Sequence, residues 1–273
     1  MPTDSHYDSL PRPTGALTHR YGDHVHLLSH PWAMTLLAQL CEERTHQPRA
    51  NELVRSLYTW LLTEVASREL ATGPRQVQTR MATFNPDTGV FGGELIQTDQ
   101  NAVVVDIARA GILPSICFFD GLNRLLEPAG VRQDHVFMNR ATDAEGRVTG
   151  VDLHGSKIGG PIENALVLIP DPMAATGSST AEVLRMYRDE VEGTPRKMVV
   201  VHLIVTPEYI RRITDEHPGT EIYAVRVDRG LSSADVLQTV PGTRWDEEVG
   251  LNENQYIVPG GGGFGEVMNN AWV

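Results

Sequence analysis

Apolar positions along the chain follow two kinds of spacing. Between 31 and 43 they recur at Met34, Leu36, Leu37, Leu40 and Cys41, and between 51 and 70 at Leu53, Leu57, Leu61, Leu62 and Val65. Both spacings predict amphipathic helices. Beyond Gly73-Pro74 short apolar runs each precede a helical stretch. Residues 103–107 are followed by a helix over about 112–126, residues 165–169 by one over about 179–190, and residues 198–205 by one over 207–217, with 221–227 as a further strand. Val103-Val104-Val105 and Val199-Val200-Val201 are apolar at every position, which suits strands covered on both faces. The fold class predicted is α/β, a doubly wound, mainly parallel sheet behind N-terminal helices. Ligands of such sheets gather at the carboxyl ends of the strands, so chemistry is expected in the loops after Ile107, Ile169, Val205 and Val227.

Three stretches break the alternation. Residues 1–29 are rich in Pro, His, Asp and Thr and read as a loosely docked arm, with 30–273 as a single domain. Residues 140–163 are polar and glycine-rich, a surface excursion or else a lid or dimer arm. Residues 232–249 form a second polar excursion.

Composition narrows the classes. The 273 residues are 41% hydrophobic and 21% charged, a globular balance. With 23 Lys and Arg against 35 Asp and Glu the net charge is -12, which argues against a nucleic-acid or other general polyanion partner. Cys41 and Cys117 lack any metal or redox spacing and read as reduced buried thiols. No apolar run approaches the ~20 residues of a membrane span, and the first thirty residues carry no signal-like apolar region. A cytoplasmic protein with no membrane partner is the expectation.

The most informative segment runs from Leu166 to Thr180. A buried strand delivers one carboxylate, Asp171, and then Pro172, Met173, Ala174, Ala175, Thr176, Gly177, Ser178 and Ser179 lead into a helix. Free backbone N–H groups, hydroxyls and the positive end of a helix dipole suit a phosphate, while the carboxylate suits sugar hydroxyls or a hydrated metal. Good N-caps have the same composition. Neither Gly-Lys-Ser/Thr nor Gly-x-Gly-x-x-Gly is present, so this is not a Walker or dinucleotide loop.

Asp171-Pro172-Met173-Ala174-Ala175-Thr176-Gly177 resembles the phosphoribosyl diphosphate (PRPP) loop of uracil phosphoribosyltransferases, Asp-Pro-Met-x-Ala-Thr-Gly-Gly-Ser/Thr. His30-Pro31, Arg109-Ala110-Gly111, Arg140 and the run from Gly250-Leu251-Asn252-Glu253 to Tyr256-Ile257-Val258-Pro259-Gly260 match further motifs of that family in the same order. The resemblance implies a type I phosphoribosyltransferase fold, with a hood formed partly by the C-terminal segment, and transfer of phosphoribose from PRPP to uracil, giving UMP and pyrophosphate in nucleotide salvage. In that family residues 171–179 would hold the 5-phosphate, with Asp171 on the ribose hydroxyls. Arg109 and Arg140 would meet the pyrophosphate, as guanidinium forks do. Main-chain groups at Ile257, Gly262, Gly263 and Phe264 would read the base. Mg²⁺ is the implied cofactor, carried by PRPP and water with no direct protein ligand, and a homodimer or higher homo-oligomer is the implied assembly.

Three departures from the pattern stand out. Ser178 occupies the place of a second glycine, Gly263 that of an aspartate with Phe264 following, and 232–249 interrupts what the family joins almost directly. The phosphate half is kept and the acceptor half is altered. Phosphoribosyl transfer to another acceptor, and a non-catalytic PRPP or UMP sensor, therefore stay open.

Overall fold

The computed structural model describes residues 16–142 and 148–272, and for 139–142 and 148–153 the backbone alone. The chain opens with a short strand, β1 (Val25–Leu27), and two helices, α1 (Pro31–Cys41) and α2 (Arg49–Glu69). Pro31 and the His30 ring, which accepts Trp32 N–H at 3.3 Å, start α1. A separate antiparallel hairpin follows, β2 (Thr72–Gln78) with β3 (Val90–Ile96).

The core alternates as the apolar runs predict. It contains β4 (Ala102–Ala108), α3 (Ile112–Leu122), β5 (Val131–Thr142), β6 (Val148–Lys157), β7 (Leu166–Pro170), β8 (Met173–Ala174), α4 (Ser178–Asp189), β9 (Lys197–Val205), α5 (Pro207–Glu216) and β10 (Glu221–Val227). The sheet order is β1-β10-β9-β7-β4-β5-β6, with β8 added to the end of β9. Every pairing in it is parallel except β5 with β6. Two short helices, α6 (Ala234–Leu237) and α7 (Phe264–Asn269), complete the described strands and α-helices.

The all-apolar runs divide between two cores. Val104, Leu168, Val199 and Val201 pack with Leu53, Leu57, Leu61 and Phe118 of α2 and α3. Val103, Val105, Val167, Ile169 and Val200 pack with Leu184, Tyr187, Ile210 and Ile213 of α4 and α5. Each fully buried branched side chain contributes about 1.5–3 kcal/mol, so both faces drive the sheet into the interior.

Two expectations are corrected. Residues 1–15 of the expected arm lie outside the described residues, but Tyr21 is buried and Val25–Leu27 pairs with Ile222–Ala224 as the sheet edge. The polar stretch from 140 is no plain excursion. Its ends extend a β-ribbon in which β5 and β6 pair antiparallel, with irregularities after Phe137 and Ala141. The excursion 232–249 is ordered and carries α6. Among the described residues no helix is long and apolar enough to cross a membrane.

Candidate active site

The loop after β7 is built by bonds to its neighbours. Asp171 N donates to Val201 O at 3.0 Å, and the Asp171 carboxylate accepts Met173 N–H at 3.2 Å, folding the chain over its own side chain. Pro172 O accepts the N–H groups of Leu203 and Ile204, both at 3.1 Å, and Met173 and Ala174 pair with Ile204 and Val205. Ala175 O accepts the Thr206 hydroxyl at 2.7 Å. Gly177, at φ 81°, supplies the left-handed turn into α4. Thr176, Ser178 and Ser179 are half-buried at the mouth of that turn.

Beneath Asp171 lies a buried relay that sequence reasoning missed. His202 Nδ1 donates to Asp171 O at 2.6 Å, because a carbonyl can only accept, and Nε2 accepts the Tyr209 hydroxyl at 2.6 Å. Burial pushes the His202 pKa down from 6.5 to about 4. The folded-state pKa lies below the unfolded one, so its contribution is fully present above pH 6.5 and is lost as pH falls toward 4. Wild-type protein is expected to lose about 3 kcal/mol of unfolding free energy over that window through this one group. Urea titrations across the window should show a correspondingly shallower loss for His202→Gln; parallel profiles would refute the assignment.

The loop after β4 carries Arg109, exposed, whose Nη1 donates to Ala271 O at 3.3 Å. Gly111 is required there: a Cβ would lie 2.8 Å from Ile107 O and 3.3 Å from Pro170 O. Arg140 stands in β5 opposite Val151, and its side chain lies outside the described residues.

The C-terminal strip folds back to the same edge of the sheet. Ile257 is buried and bridges Leu251, while Gly260 N donates to buried Asp228 Oδ2 at 2.7 Å. Gly230 N and Val258 O, 2.9 Å apart, add a second tie. Gly262 is exposed at φ 75°. The Phe264 ring is buried against Gly261. The Glu266 carboxylate fills the space that a side chain at Gly263 would take. Met173, Ala175, Ala110, Ile257 and Phe264 all belong to one apolar core, and a Cβ on Gly111 would lie 3.3 Å from Pro170 O and one on Gly265 3.7 Å from Ala110 Cβ, so the 171–178 loop, the Arg109 loop and the C-terminal segment adjoin.

Sequence reasoning treated Asp228 only as a strand end, yet it clamps the strip. It also missed Thr206, Tyr209 and Arg212, whose three-residue spacing along α5 was the available signal. Arg212 Nη1 donates to Ser178 Oγ at 2.6 Å and to Thr176 O at 3.0 Å. Beside them a cleft of ≈ 490 Å³ opens between α4 and α5, where Arg185 is held by Glu182 and Glu190.

Cys41 and Cys117 are free and half-buried, and burial pushes the Cys41 thiol up to about 11. Among the described residues the cluster spaced for a metal is His26, Glu69 and Glu221. Lys197 Nζ already bonds Glu69 at 2.8 Å and Glu221 at 3.1 Å there, at the amino ends of the strands. The phosphate loop offers one half-buried carboxylate, Asp171, amid hydroxyls. That sparse donor set fits a magnesium ion brought in on substrate phosphates and water, not one in a protein cage.

The doubly wound sheet and the hydroxyl-bearing loop at its carboxyl edge fit the class of phosphoribosyltransferases of the type I fold. The sequence model of the uracil phosphoribosyltransferase family matches residues 27–244, and the chain belongs to that family. It is 25% identical over 244 residues to the uracil phosphoribosyltransferase of Caldanaerobacter subterraneus subsp. tengcongensis, covering 89% of this chain and 96% of that one. It is 27% identical over 158 residues to that of Thermococcus sibiricus, covering 58% of this chain and 63% of that one, just under two thirds of the relative's length. The AQ2163 protein from Aquifex aeolicus shares the fold at TM-score 0.66 and 21% identity, covering 89% and 97% of the two chains.

Proposed function

We propose that the chain transfers phosphoribose from PRPP to uracil, forming UMP and pyrophosphate. The observation that supports this reading is the approach of the 171–178 loop, the Arg109 loop and the C-terminal segment to one another at the carboxyl edge of the sheet. Residues 171–179 take the 5-phosphate on backbone N–H groups and hydroxyls, and Asp171 orients the ribose hydroxyls. Arg109 and Arg140 receive the pyrophosphate as its bond to C1 breaks and positive charge grows on the sugar. When bound, magnesium supplies further neutralisation of the leaving oxygens. The main chain at Ile257 and at residues 262–264 aligns the base, whose ring nitrogen bonds to C1 and gives up its proton to water. The free thiols support a reducing, cytoplasmic setting. The exposed apolar side chains of Val77, Phe84 and Phe91 on and beside the β2–β3 hairpin support a homo-oligomer.

A second reading keeps the donor and changes the acceptor. It is favoured by Gly263 and by the Glu266 carboxylate that fills its side-chain space. Pyrophosphate release from PRPP with Mg²⁺, with and without uracil and with the product weighed, separates the two. Uracil-dependent release with UMP is expected. Silence with uracil but release with another acceptor selects the second reading, and bound PRPP with no release from any acceptor identifies a sensor.

A further inference from the structure

Helix α5 ties the phosphate loop by its carbonyls. Thr206 Oγ1 bonds Ala175 O at 2.7 Å and Arg212 Nη1 bonds Thr176 O at 3.0 Å. Neither of the two peptides is cis, and a trans peptide points its C=O and N–H in opposite directions. Holding these two oxygens toward α5 therefore turns the N–H groups of Thr176 and Gly177 away from it, and neither has an acceptor among the described residues.

The side chains follow the same logic. Ser178 Oγ has two lone pairs and one proton. Arg212 Nη1–H fills one lone pair at 2.6 Å. Thr176 Oγ1 lies 3.1 Å from Ser178 Oγ and itself accepts Ser178 N–H at 3.4 Å, so its own proton is available for the second. With Thr176 as the donor of that pair, the Ser178 proton is left to point out of the cluster. Arg212 is itself steadied: Nε bonds Glu216 Oε1 at 3.1 Å, and its stem packs where a Cβ on Gly177 would lie 3.2 Å from Cδ.

We propose that Arg212 is a positioning residue of the phosphate loop, holding the Thr176–Gly177 peptide and the Ser178 hydroxyl as donors aimed at the 5-phosphate of PRPP. It acts at Ser178, the residue by which this loop departs from the glycine form, and it rests on the reading of residues 171–179 as the PRPP loop.

The test is steady-state kinetics of Arg212→Gln, Arg212→Lys, Ser178→Gly and the Arg212→Gln/Ser178→Gly double variant, with inorganic phosphate as a competing probe and thermal unfolding alongside. Arg212→Gln is expected to raise the KM for PRPP and the inhibition constant of phosphate about tenfold, the scale of one charge-assisted hydrogen bond, with kcat and the acceptor KM within about twofold. Arg212→Lys should recover part of the loss, and Arg212→Gln should cost less when Ser178 is already glycine. An unchanged PRPP KM in Arg212→Gln, or equal loss in both KM values and kcat together with lower thermal stability, overturns the proposal. Wild-type protein that neither binds PRPP nor releases pyrophosphate overturns the reading of the loop itself, a result distinct from an active wild type beside an unaffected Arg212→Gln.

Discussion

In Asp171→Asn, kcat is expected to fall by about 10²–10³-fold, the range for removing one preorganised group from a reacting centre, while the unfolding midpoint hardly moves. The asparagine oxygen still accepts the Met173 N–H that now closes the loop at 3.2 Å, and the Asp171 carbonyl still receives His202 at 2.6 Å. What disappears is the negative charge that the proposed mechanism sets against the ribose. Turnover equal to wild type would remove Asp171 from the reaction. A fall in kcat matched by a fall in stability would make it a structural residue only.

The second large effect lies away from the chemistry. Glu248, fully buried at its side chain, accepts Arg229 Nη1 at 2.8 Å and Gly242 N–H at 2.8 Å, and the Tyr21 hydroxyl bonds its other oxygen. Arg229 also donates to Thr239 O at 2.7 Å, so one ion pair pins the 232–249 excursion to the N-terminal segment. Glu248→Ala strands a buried guanidinium, and unfolding free energy is expected to drop by about 3–5 kcal/mol. Glu248→Gln keeps the shape and should lose less. Denaturant midpoints of the two variants decide, and a loss below about 1 kcal/mol for Glu248→Ala would show that the pair is replaceable by water.

What could be read in advance follows from where the apolar surface lies. The runs at 103–105, 166–169 and 199–201 are buried on two faces, so the helix-strand alternation was plain and the segment bounds fall within a few residues of those observed. The β2–β3 hairpin was invisible because Thr72–Gln78 is exposed at nearly every position and contains Pro74. Residues 140–157 misled for a related reason: β6 is the edge strand of the sheet, and His154, Ser156 and Lys157 along it are exposed. Val25–Leu27 is too short to show a period. The phosphate segment was legible because its chemistry is local in sequence. His202 was not, since a polar residue inside the run 198–205 carries no mark of which carbonyl it will meet.

The same geometry divides the molecule into a conservative part and a permissive one. Loop 171–178 is stitched to β9 and α5 by most of its carbonyls, so a substitution that shifts its main chain disturbs folding and the proposed phosphate site together, unlike a side-chain exchange such as Asp171→Asn. The strip from Tyr256 to Phe264 adds no strand to the sheet and hangs on a few ties, chiefly to Asp228, Gly230 and Gly250. On the proposed reading of the strip as the acceptor site, drift in acceptor preference is thus open to this lineage at little risk to the scaffold. An inventory of acceptors across its members should vary far more than the donor they share.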